Sequence, residues 1–352
     1  MTVDVKDETI APTLMERLNG ALPIPYTATA LLVAALLGPL GFFIADFLDS
    51  FDLGKATTLF VNLSFKPYNF WQLVGNNLVF PLIIFYCAVM VRYMRLRIIR
   101  AENDLMGGTA ESRNAVKAAF RGVSSTLPAV GIAALIVFLS STLIEQQVEA
   151  NQGLAKLYFA VDYPLFFFGA GTFIWVYIRS LWGLHNLGKG PLRMRSHSED
   201  PMMGLGGFGD LSLAFTAIFF VAVFFGLFMF SVFAANVPIV LFVLFSSFLT
   251  MTGLVTFFLP LTNIHGKMVR QKDALRNQNL GELVALVGNS QGKESVPVGD
   301  FRRVLLLDHE RGQIQDISSW PFETPVIRAL ALIIVGIVVS IAAHIAFVLL
   351  GI

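Results

Sequence analysis

Histidine, cysteine and carboxylate side chains ligate metals, move protons and attack carbonyls, and here they are spread thinly. The five histidines are His185, His197, His265, His309 and His344. No two of them are three or four residues apart. A metal centre needs such ligands gathered together, so none is expected. A haem held between helices would need histidines on two membrane helices, and only His344 lies deep in an apolar stretch. Cys87 is the single cysteine, which excludes an intrachain disulfide. It falls in an apolar run and reads as a small buried hydrophobe. Ser340 and His344 are four apart, but no third group can be assigned to orient the histidine. Catalysis is not expected, and neither is a cofactor.

Two short motifs have a structural explanation. Gly204-Leu205-Gly206-Gly207-Phe208-Gly209 matches the G-x-G-x-x-G dinucleotide pattern. That pattern works only after a strand and within a βαβ unit, with an acid about 20 residues on. Here a polar segment, Ser196 to Pro201, precedes it and an apolar run follows. The glycines read instead as a flexible lead into a helix, with Asp210 favourable to its dipole. His309-Glu310-Arg311 resembles the phospho-acceptor box of histidine kinases over three residues. The proline expected soon after is absent, so the triplet reads as a solvated polar face.

The remaining candidates are polar groups inside apolar stretches. Gly336, Ser340 and His344 recur every four residues, so they share one face of the last stretch. Small residues on one face predict close helix packing, and a histidine there should point into the bundle. Pro39, Pro81 and Pro128 predict breaks in the first three stretches. A proline frees the carbonyl four residues earlier, which for Pro81 belongs to Asn77. Broken helices at membrane depth often line binding sites. Asn77, Ser141, Ser340 and His344, with Asp46 and Glu145 above them, are therefore expected to line an outward-opening solute or ligand vestibule among spans 1, 2, 3 and 7. Asp162, just before Tyr163-Pro164, is expected to cap the start of span 4. The hydroxyls Ser246, Ser247, Thr250, Thr252 and Thr256 are expected to bond their own helix.

The elements that must carry these residues are membrane helices. Hydrophobic residues make up 55% and charged residues 14% of the chain, with a mean hydropathy of +0.70. Ordinary soluble domains carry roughly 25% charged residues. A crossing helix needs about 20 apolar residues. Seven candidate spans follow: 27–48, 72–94, 124–145, 160–182, 211–234, 237–260 and 326–350. Lipid gives backbone groups no water partner, so an all-α polytopic membrane helix bundle is expected. The first apolar run has no basic n-region before it and no small-residue cleavage site after it, so it is kept as a span and not a signal peptide.

Cation asymmetry orients the bundle. The connections after spans 2, 4 and 6 are rich in Lys and Arg; the opposite side has only Lys55, Lys66 and Lys156. The N-terminus is therefore expected in the cytoplasm and the C-terminus outside. Residues 1–25 form a cytoplasmic segment, 26–260 a six-helix membrane region, 261–325 a cytoplasmic helical connection and 326–352 the seventh span. Arg92, Arg95, Arg97 and Arg100 next to span 2 are expected to meet anionic lipid headgroups.

Within 261–325, Ile264, Met268 and Leu275 recur at helical spacing, as do Leu280, Leu283, Val284 and Val287. Gly281 is expected to separate two helices, and Asn289 to Ser295 to turn. A third helix over 301–314 would turn Phe301, Val304 and Leu305 inward. Trp320-Pro321-Phe322 marks the membrane surface, and Pro325 sits in the first turn of span 7.

The expected function is non-enzymatic. A passive channel or permease for a small solute comes first, in the cytoplasmic or inner membrane, alone or as a homo-oligomer. The scarcity of intramembrane charge argues against ion coupling. A sensor with an outer ligand site relaying through 261–325 is the alternative; its layout is similar to that of insect chemoreceptors in topology only. An accessory or scaffold subunit of a membrane complex is a further alternative. The net charge of +1 gives no reason to expect nucleic acid.

Overall fold

The computed structural model describes residues 10–38, 40–41, 44, 80–106, 110–141, 145, 153–190, 200–233, 239–290 and 298–350. Among them there are eleven α-helices and no strand. In chain order they are α1 (Leu14–Asn19), α2 (Tyr26–Leu36), α3 (Phe80–Met106), α4 (Ala110–Ala119), α5 (Thr126–Leu139) and α6 (Gly153–Lys189). Then follow α7 (Gly207–Phe233), α8 (Ile239–Phe258), α9 (Thr262–Ser290), α10 (Val298–Asp316) and α11 (Thr324–Leu350). Three apolar helical stretches are long enough to cross a membrane: Ala160–Lys189, Gly207–Leu227 and Val240–Gly288. Shorter apolar helices lie at Tyr26–Leu36, Thr126–Leu139 and Thr324–Val339. The described elements are thus all helical, and the apolar helices among them are compatible with a membrane protein.

The helix α6 is the hub. It packs against α3, α4, α5, α7 and α9. Its closest neighbour is α5, because Gly171 has no side chain: a Cβ there would lie 2.7 Å from the Ala129 carbonyl and 2.8 Å from the Ala133 nitrogen. Backbones meet in this way where lipid supplies no hydrophobic drive and packing must. Aromatic rings fill the next layer. Phe80 stacks on Phe166 at 4.2 Å, and Tyr177 stacks on Phe219. Tyr86 bridges α3 to α7 through a hydrogen bond to the Ile218 carbonyl, 2.5 Å.

Of the three prolines expected to break spans, Pro128 departs from that expectation. Pro39 lies outside the described residues, and Pro81 is the second residue of the described part of its helix. Pro128 is the third residue of α5, after Ser125 at the N-cap, where a missing N–H leaves no bond unmade. It does not break span 3. The described helix with a proline in its interior is α6, at Pro164.

Ahead of α7, the glycine run is a packed corner and not a flexible lead. Both Asp200 carboxylate oxygens accept backbone hydrogen bonds, from Met202 and Gly204, each 2.8 Å. Met203 and Gly204 take positive φ, 54° and 80°. Met203, Leu205 and Phe208 are buried. A Cβ on Gly209 would lie 2.0 Å from the Pro321 carbonyl, so glycine is required where α7 meets the 317–322 connector. His265 stacks on Trp320 at 4.1 Å and its Nδ1 lies 2.7 Å from the Ser319 carbonyl.

The connection between α8 and α11 is a helical hairpin with two departures from expectation. The helix α9 runs through Gly281 without a break, because that glycine faces open space. On α10, Phe301 and Leu305 are exposed, and Leu307 and Ile314 turn inward instead. The register is set by Asn279, whose amide donates to the Leu307 carbonyl at 3.0 Å, and by the Arg303–Glu282 pair at 3.0 Å. Lys272 donates to the Gln315 and Ile317 carbonyls at 2.8 and 2.6 Å, satisfying acceptors at the end of α10.

Candidate functional site

Two carboxyl side chains are buried among the described residues, Glu16 and Asp162. They differ in what meets their oxygens. Glu16 belongs to α1, which opens with Thr13 in a capping box. Its Oε2 accepts from the Thr13 amide at 2.9 Å and the Thr13 hydroxyl at 3.1 Å. The Thr13 hydroxyl in turn accepts from the Glu16 amide at 3.2 Å. Oε1 accepts from Arg95 Nε at 2.8 Å. Arg95 Nη1 reaches the Ile10 carbonyl at 3.2 Å. Charge and geometry are both answered, so this pair fastens residues 10–19 onto α3.

Arg95 is therefore an exception among the four arginines expected at lipid headgroups. It is 5% exposed and faces protein. Its neighbours are more open. Arg97 and Arg100 are exposed, with Arg97 over the Tyr93 ring. Arg92 lies over the Tyr26 ring at 4.5 Å.

Asp162 is the second case. Its expected capping role is ruled out by the helix itself: α6 begins at Gly153, so Asp162 lies in the helix interior. The residue is 3% exposed, and its Oδ1 has no hydrogen-bond partner. It stands on a helix that is long and apolar enough to cross a membrane. The position four residues on, Phe166, shares its face and is covered by Phe80 of α3. Tyr163 next to it meets Phe80 edge-on at 6.0 Å and stacks with Phe167. Aromatic residues thus occupy the positions one and four after Asp162, where α3 approaches α6, and Pro164 follows two residues on.

The residues expected to line a vestibule fall as follows. Asp46 and Asn77 lie outside the described residues. Ser340 and His344 are on α11, with backbones described and side chains outside the described set. Ser141 and Glu145 are helical and exposed. The helix α11 packs on α7 and α8, and α5 on α6. The buried stripe of α11 is Val326, Leu330 and Ile337. Gly336 lies off that stripe, exposed with open space around it, so it does not provide the close packing expected of the small-residue face.

Other polar groups are spent on the fold. Trp175 Nε1 donates to the Gly122 carbonyl at 3.0 Å, and Arg179 donates to the Arg121 carbonyl at 2.9 Å, closing the turn before α5. Ser246, Thr250, Thr252 and Thr256 bond carbonyls of their own helix, as expected. Cys87 is buried. A water-sized space lined by Thr13, Ser125, Thr172 and Trp175 lies where α1 meets α5 and α6.

Sequence reasoning missed Asp162 because Asp-Tyr-Pro imitates a helix start. It missed the Glu16–Arg95 pair although Thr13-x-x-Glu16 is a legible capping signal. No family model matches this chain, and neither a curated protein nor a solved structure matches it significantly.

Proposed function

We propose that the chain is a non-enzymatic, multi-pass protein of the cytoplasmic membrane that passes a small solute across it. It crosses seven times, with the N-terminus inside and the C-terminus outside. The observation that carries this reading is Asp162, a carboxyl buried at 3% exposure on an apolar helix of crossing length. Ionisable groups at membrane depth are expensive and persist where they serve substrate or ion movement. The sequence-based objection to coupled transport was the lack of such a group. Span 4 runs from outside inward in this orientation, so Asp162 lies toward the outer leaflet, on the side of the vestibule residues Asn77, Ser141, Ser340 and His344. Arg92, Arg97 and Arg100 meet anionic headgroups at the inner face.

Purified full-length chain in liposomes tests this. Osmotic swelling in a graded set of small neutral and charged solutes should exceed that of protein-free vesicles for at least one solute class. Equal swelling across the set would remove the transport reading.

The sensor reading has one observation in its favour. The helices α8 and α9 are joined only by the 3-10 turn Leu259–Leu261, so one helical rod runs from a crossing segment into the hairpin. The contacts of His265 and Lys272 tie that rod to the connector leading to α11. A shift of α8 would then reach residues 261–325 directly. Spin labels on α8 and α10 would report it as a distance change on adding ligand, and a fixed distance would count against it.

A further inference from the structure

We infer that Asp162 is an intramembrane binding site for a monovalent cation, either a proton or an alkali ion. A carboxylate stripped of water is far too costly to keep bare, and it must be neutralised or paired. Glu16 shows what pairing looks like in this molecule: every oxygen is met, and a guanidinium lies 2.8 Å away. Asp162 has an oxygen with no hydrogen-bond partner and no salt bridge among the described residues. The neighbouring positions make aromatic contacts: Phe80 on Tyr163 and on Phe166. Phenylalanine rings exclude water and offer a carboxylate no hydrogen-bond donor. What answers the charge is then a small cation that can come and go. The helix is suited to exchange, because Pro164 lacks the N–H that would bond the Ala160 carbonyl, weakening the ladder beside Asp162. This deepens the transport reading by naming the ligand class of its buried acid.

The test is carbodiimide labelling of the wild-type full chain in liposomes. The apolar reagent dicyclohexylcarbodiimide partitions into lipid. A protonated carboxyl adds its O–H across one C=N bond to give an O-acylisourea, which rearranges to a stable N-acylurea with no group lost. Peptide mass mapping should find the adduct on Asp162, and a water-soluble carbodiimide should leave Asp162 unlabelled while modifying exposed acids such as Glu323. Raising the pH should slow labelling. If sodium or potassium also slows it at constant pH, the cation is an alkali ion; if neither does, it is the proton. The adduct should be lost in Asp162→Asn. Three results would overturn the site: no adduct on Asp162 while exposed acids react, equal reaction with the water-soluble reagent, or labelling indifferent to both pH and salt. The wild-type labelling needs neither the variant nor a solute. Labelling without solute flux would keep the cation site and remove the transport reading; flux without labelling would do the reverse.

Discussion

Glu16 and Asp162 are equally hidden from solvent, at 5% and 3% exposure, and their surroundings could hardly be less alike. Glu16 sits where the N-terminal segment meets α3, held by a threonine cap and an arginine. Asp162 sits on a helix of crossing length, with aromatic residues one and four positions on and an oxygen unmet. The difference separates two uses of a buried charge. A fully paired acid fixes one arrangement of the chain, and its value is positional. An acid with an unmet oxygen stabilises nothing by itself, and under our proposal its value lies in the cation it binds.

The largest effect should come from breaking the paired site. Glu16→Ala removes the buried carboxylate that Arg95 Nε meets at 2.8 Å, and breaking a buried pair costs about 3–5 kcal/mol. Thermal unfolding in detergent should show a clear fall in midpoint. The double variant Glu16→Leu, Arg95→Met should recover most of it, because an apolar pair takes both charges out of the buried site. If the double variant is no better than the single one, the pair is not what fastens α1.

The contacts around α7, α9 and the 317–322 connector sharpen the contrast, since they too are held by specific geometry. Gly209→Ala drives a Cβ to 2.0 Å from the Pro321 carbonyl. Overpacking of this kind costs about 1–3 kcal/mol, read as a lower midpoint and faster proteolysis at the 317–322 connector. Lys272→Met should cost less, about 1 kcal/mol for two carbonyl partners that regain water. Its expected readout is faster amide exchange at the end of α10, with the membrane helices unchanged. Equal loosening of α6 would mean that the hairpin and the bundle unfold as one body.

What the sequence revealed depended on how local the signal was. Apolar composition alone predicts helices in a membrane, because lipid leaves the backbone no alternative. The helical periodicity of Ile264 and Met268 correctly marks a buried face, and the hydroxyls of α8 bond back as their type predicts. Long-range geometry was not legible. Nothing near Gly209 announces that Pro321 will touch it, more than a hundred residues away. Gly281 looks like a helix break until the structure shows open space around it, with no contact to favour stopping. Phe301 and Leu305 look like core residues, yet the bond from Asn279 to Leu307 rotates α10 and leaves them outside. Asp162 is the most instructive failure. Its neighbour Pro164 is a strong helix-start signal, and the nine helical residues before it carry no stronger one.

The account turns on the claim that one buried acid is structural and the other is not. Thermal unfolding of Glu16→Gln and Asp162→Asn, measured side by side in the same detergent, tests it most directly. The paired site should lose stability on neutralisation, and Asp162→Asn should unfold at or above the wild-type midpoint, since it replaces an unmet acid with a neutral group. A fall for Asp162→Asn as large as that for Glu16→Gln would contradict the claim and make Asp162 a second fastening of the fold.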